Sequence, residues 1–224
     1  MLSSANHGYK IARFRKIVNT SEKIIFDPAF GLAENLTIRQ FFDNLWAVRK
    51  SGRGRDQLGS VKPLEMGFSP DGYITDQDCF STYKYRTIPA NYNGCGWIAA
   101  YNLLKFSGQK IEYDEVRREM DEMHFLRAPG PTLMCVMRKY LRKYVPEIRE
   151  TVGREAALKT AKESRAGIFR YREGLEPHFV SYIRQEENSF RFFNMDDGLE
   201  DCVMPMEQFI GEHCAPGTVI VFTV

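Results

Sequence analysis

Two residues carry most of the chemical promise of this chain: Cys95, in the run NYNGCGWIAAYNLLKFSG, and His178, at the head of HFVSYIR. Cys95 follows the turn dipeptide Asn93-Gly94 and opens an apolar, helical pattern. A thiol at a helix start sits at the positive end of the helix dipole, which favours the reactive thiolate. Gly94 and Gly96 leave its flanks free of side chains, so a substrate carbonyl has room to approach, and Trp97 is a candidate wall of the same cleft. Backbone N–H groups at the helix start can receive an oxyanion, with Asn91 and Asn93 as the available side-chain amides. The competing reading of Cys95 is a small buried thiol at a helix start, and that of Trp97 a core aromatic.

His178 opens a strand and shares its face with Val180 and Tyr182 by the period of two. The next strand ends with Asn194 and Asp196, which share a face with each other. A turn at 185–188 folds the two strands into a hairpin and brings the end of the second beside His178. An amide or carboxylate on the second imidazole nitrogen then fixes the tautomer, as a nucleophile–base–orienter triad requires. Either Asn194 or Asp196 can fill that role.

The elements that must position these residues read as helices first and strands afterwards. Residues 9–27 suggest two short strands, and Thr37 with Gln40 caps a helix that carries Ile38, Phe41, Phe42, Leu45 and Trp46 on one stripe. Residues 51–90 lack periodicity and are rich in Gly, Pro, Asp and Ser, which implies a long surface excursion. Helices are then expected from Cys95 to a stop at Gly108, over 113–123, over 132–144 with Thr132 as cap, and over about 153–164. Short β-type runs follow at 167–171, 178–184, 189–195 and 218–224. That order indicates an α+β domain in which the cysteine-bearing helix packs against a carboxy-terminal antiparallel sheet.

GCGWIAAYNLL resembles the active-site cysteine helix of papain-like peptidases, where a Cys-Gly pair and an aromatic open the central helix. HFVSYIRQEENSFRFFNMDDG resembles their histidine strand and the following strand with its orienting Asn or Asp. The nearest flavour is the bacterial leader-peptidase-like branch, related to the peptidase domains of bacteriocin exporters. The resemblance covers roughly residues 88–224 and implies a papain-like cysteine proteinase fold with Cys95 as nucleophile, His178 as general base and acid, and Asn194 or Asp196 as orienter. It also implies that no cofactor or metal is needed. Where the family has an oxyanion-hole Gln about six residues before the cysteine, this chain has Pro89, and Asn91 is the nearest stand-in.

The domain expectation is therefore an amino-terminal extension over 1–80 and a catalytic domain over 81–224. The activity expected is hydrolysis of a peptide or other amide bond by a thiol protease or amidase. Two alternatives remain open: acyl transfer or a transglutaminase-like reaction by the same triad, and a papain-like module that binds without catalysis.

Composition narrows the partners. A net charge of +2 over 224 residues is too weak to argue for nucleic acid or a membrane surface, so neither is expected as a partner, and Lys50, Arg53 and Arg55 read as a solvated loop. No stretch approaches the ~20 apolar residues of a membrane span. The first residues lack the apolar core of a secretory signal, so the expected location is the cytoplasm. Five scattered cysteines do not form a disulfide framework, and no spacing suggests zinc. His124 and His213 read as structural, and His213 with Cys214 is discounted because adjacent residues point apart. Asp196, Asp197, Glu200 and Asp201 lack the spacing of a calcium loop.

Overall fold

The computed structural model describes residues 64–125, 128–173, 176–195, 201–214 and 219–224. The strands expected in 9–27, the helix after Thr37, the Lys50/Arg53/Arg55 cluster and Asp196 lie outside the described residues. Those described fall almost wholly in one compact unit, Lys62–Glu173 with Pro177–Val224. It is a mixed α+β arrangement built on a six-stranded antiparallel sheet.

Two 3₁₀ turns, Leu64–Gly67 and Gln77–Phe80, come first, followed by the two-residue strands β1 (Lys84–Tyr85) and β2 (Ile88–Pro89). One helical turn, α1 (Ala90–Asn93), runs into α2 (Cys95–Phe106), and α3 (Tyr113–Glu122) and α4 (Met134–Tyr144) follow. Then come β3 (Arg149–Val152), α5 (Arg154–Glu163), β4 (Ala166–Glu173), β5 (Glu176–Glu186) and β6 (Ser189–Phe193). The last are β7 (Asp201–Met204), α6 (Met206–His213) and β8 (Ile220–Thr223). The sheet order is β3-β8-β4-β5-β6-β7.

Strand alternation divides the interior into two cores. Ile168, Phe179 and Phe222 point to one side, where they join Ile98, Leu103, Met120 and Met137 of α2, α3 and α4. Phe169, Val180, Tyr182 and Val221 point to the other, against Ala157 and Ala161 of α5 and Phe209 of α6. Burial on both faces explains why β8 reads as a nearly continuous apolar run and not as an alternating one. Each large side chain so enclosed contributes about 1.5–3 kcal/mol.

The helices after Cys95 form close to their expected bounds. Gly108, at φ 76°, ends α2 with its N–H on Lys105 O while the Gln109 N–H takes Leu104 O, a left-handed stop that glycine adopts without strain. Three expectations are corrected. Residues 64–90 are no surface excursion: Ile74, Phe80 and Tyr85 are wholly buried in the first core. Thr132 does not cap α4, whose cap position is Leu133 without a side-chain bond; the Thr132 hydroxyl instead meets Tyr85 OH at 2.9 Å. β3, β7 and α6 form where no element was expected, being short or, in β3, polar.

Candidate functional site

The chain is helical on both sides of Cys95. Gly94 has right-handed angles (φ −78°, ψ −11°), donates to Ala90 O and accepts from the Ile98 N–H. It is glycine for space: a methyl group there overlaps Ala90 O and comes within 2.8 Å of Trp97 Nε1. Gly96 lies against Thr132 Oγ1 and Cβ just as closely. Cys95 is 0% exposed and belongs to the first core, as does Trp97, whose ring meets Phe80 edge-on at 5.2 Å. Gly94, Gly96 and Trp97, expected along an open cleft, are instead enclosed, because each faces another element of the same unit.

The hairpin of β5 and β6 forms in the register Ser181↔Phe193, which continues to Asn194 opposite Val180, diagonally within reach of His178. His178 is buried, its ring edge-on to Tyr171 at 5.7 Å, and its Nε2 lies 3.0 Å from the Asn194 main-chain carbonyl. A carbonyl only accepts, so Nε2 carries the proton, and in the neutral ring the lone pair lies on Nδ1. Asn194 thus reaches His178 through its backbone, not through its side chain as expected. Its φ is 62°, and its carboxamide turns toward Gln77.

Gln77 is the residue that sequence reasoning missed. It opens a 3₁₀ turn capped by Asp76, which accepts from the Asp78 N–H at 2.8 Å. The Gln77 N–H donates to Asn194 Oδ1 at 2.9 Å, Asn194 Nδ2 donates to Gln77 Oε1 at 3.1 Å, and Gln77 Nε2 donates to Asn91 O at 2.8 Å. A continuous hydrogen-bonded path therefore runs from His178 to α1, the turn that leads into Cys95. No periodic pattern marks Gln77; the only local signal is the Asp76–Asp78 cap.

A second tie fixes the far end. Asn102 of α2 donates from Nδ2 to Ile74 O at 2.9 Å and to Ser181 Oγ at 3.0 Å, and accepts from the Ile74 N–H at 2.8 Å. The helical rise from Cys95 to Asn102 and the strand rise from His178 to Ser181 are each about 10 Å. The start of α2 and the head of β5 accordingly lie at the same end of the packed layers. Alternation sends Phe179 and Ser181 toward α2 and His178 to the side of Val180. The link from His178 to the helix start runs around the sheet's end, through Asn194 and Gln77.

The expected oxyanion amides are placed differently. Asn93 Nδ2 is committed to Tyr85 O and Gly130 O, both at 2.9 Å, and so serves to hold the neighbouring loop. Asn91 and Asn93 each bury an Oδ1 that has no hydrogen-bond partner among the described residues. Elsewhere, His124 Nδ1 lies 2.7 Å from Met120 O, and burial, aided by Arg86, holds its imidazole down at about 4. His213 is in the last turn of α6, stacked on Phe209, while the neighbouring Cys214 thiol is pushed up to about 12 by burial. Among the described residues, no group of three His, Cys, Asp or Glu is arranged to hold a metal, and no helix is long and apolar enough to cross a membrane. Comparison with protein-family models, with curated proteins and with solved structures finds no match to this chain.

Proposed function

We propose that this chain is a papain-like cysteine peptidase or amidase in which Cys95 is the nucleophile and His178 its base. The supporting observation is the buried path from His178 Nε2 through Asn194 and Gln77 to the turn before Cys95. With its proton held on Nε2, His178 presents Nδ1 as the proton acceptor. The strand directs His178 to the side of Val180 and Tyr171, so this reading requires the imidazole to meet Cys95 around the end of the sheet. There the Cys95 thiol gives its proton to Nδ1 and the sulfur attacks the carbonyl carbon of an amide, forming a tetrahedral oxyanion. N–H groups at the start of α2 stabilise that charge, with Asn91 assisting. The imidazolium protonates the leaving amine, and the released base then draws a proton from the water that hydrolyses the thioester. An amine in place of water gives acyl transfer by the same steps.

The complete enclosure of Cys95 favours a second reading, a papain-like module that binds without catalysis. Iodoacetamide labelling separates the two. Catalysis predicts labelling of the native protein at about pH 6, lost in Cys95→Ala and slowed in His178→Ala. Labelling of Cys95 only after denaturation makes the binding module the better account.

A further inference from the structure

Asn194 combines three features with one geometric consequence. It is buried, it is one of three residues other than glycine with positive φ among the described residues, and it turns its carbonyl to His178 while its carboxamide points elsewhere. Left-handed backbone is unfavourable for an L-residue, least so for Asn, so something must hold it. Gln77 supplies the hold with two bonds, its N–H to Asn194 Oδ1 and its Oε1 from Asn194 Nδ2. Both carboxamides are fixed end for end. Gln77 Nε2 faces the Asn91 carbonyl, which only accepts, and Asn194 Oδ1 faces a main-chain N–H, which only donates.

We propose that Gln77 is a positioning residue for His178. By clasping the Asn194 carboxamide, it holds Asn194 in the left-handed conformation that aims the main-chain carbonyl at Nε2, and so sets the tautomer with its lone pair on Nδ1. The same side chain anchors this clasp to Asn91, so the imidazole and the approach to Cys95 are held by one residue. A side-chain orienter can be deleted outright, whereas here the acceptor is backbone and only its direction can be lost. The inference rests on the thiol-hydrolase reading for the role of Nδ1 as base, but the tautomer is measurable without turnover.

The test is the nitrogen-15 spectrum of the imidazole rings in the full chain at neutral pH, with His178→Gln assigning the signal. The wild type is expected to show His178 as the Nε2–H tautomer with an exchange-protected proton. Gln77→Met keeps the main-chain N–H bond to Asn194 Oδ1 but removes the bonds to Asn194 Nδ2 and Asn91 O, and is expected to weaken that protection and give a mixture of tautomers. Gln77→Met combined with Asn194→Gly is expected to regain the single tautomer, because glycine takes positive φ without a clasp. Rescue by glycine is not expected of a residue that merely fills space. Should Gln77→Met fail to fold, Gln77→Asn, one methylene too short to span both partners, is expected to show the same loss.

A wild type with the proton on Nδ1 overturns the proposal. So does a His178 signal unchanged in folded Gln77→Met or Gln77→Asn, or a double variant that regains nothing. Labelling of Cys95 in the same samples is expected to slow about tenfold in Gln77→Met. A clasp-dependent tautomer beside an unreactive Cys95 sinks the hydrolase reading alone. A reactive Cys95 with an unchanged tautomer sinks the role of Gln77 alone.

Discussion

Gly96→Ala probes whether the glycines around Cys95 serve substrate approach or internal packing. The added methyl overlaps Thr132 Oγ1 and Cβ and lies 3.0 Å from Cγ2, so Thr132 must move. Overpacking of this kind costs about 1–3 kcal/mol. Moving Thr132 also disturbs its hydrogen bond with the buried Tyr85 hydroxyl, worth about 1 kcal/mol. Better helix propensity returns at most about 1 kcal/mol. The net loss is about 2 kcal/mol, or about 4–8 °C in the thermal midpoint for a chain of this size. Circular dichroism melting measures it. Gly96→Ala with Thr132→Gly, which removes the overlapping atoms, should cost less than the sum of the two single changes by about 1–2 kcal/mol. A midpoint unchanged or raised in Gly96→Ala, or strict additivity in the pair, refutes the packing argument and restores a cleft-facing role to that glycine.

Three further outcomes follow from the same geometry. Asn102→Ala strands the Ile74 N–H and carbonyl, and should lower stability by about 3 kcal/mol in urea unfolding; a loss no larger than that of Lys162→Ala on the surface contradicts this. Gly167→Ala drives a methyl into Phe222 O and within 2.7 Å of Tyr182 OH, so soluble folded yield should collapse or the midpoint fall by more than about 6 °C; a wild-type melt shows that the β4–β8 contact yields. His124 is held neutral, its folded value near 4 lying below the unfolded ~6.5, so its contribution is complete above about pH 6.5 and fades as pH falls toward 4, by at most about 3 kcal/mol. His124→Gln should flatten that acid limb, and an identical pH dependence in both proteins rules His124 out as its source.

Much of the fold was legible locally. Helix period and the glycine stop at Gly108 marked the helices from Cys95 onward, because amphipathic stripes and left-handed caps are properties of neighbouring residues. Alternation with a turn at 185–188 marked the β5–β6 hairpin and put Asn194 near His178 for the same reason. What the sequence could not determine are relations between distant segments. Residues 64–90 have no period, yet Ile74, Phe80 and Tyr85 fill the first core, since irregular backbone is buried wherever its polar groups find partners such as Asn102 and Asn93. The glycines beside Cys95 were legible as small residues, but only the position of Thr132 and Ala90 shows what the missing side chains make room for. The Gln77 clasp joins residues from opposite ends of the domain, and which atom of Asn194 faces His178 depends on one backbone angle that tertiary packing sets. Residue types supplied a thiol, an imidazole and amides; their directions came from long-range hydrogen bonds that no local pattern encodes.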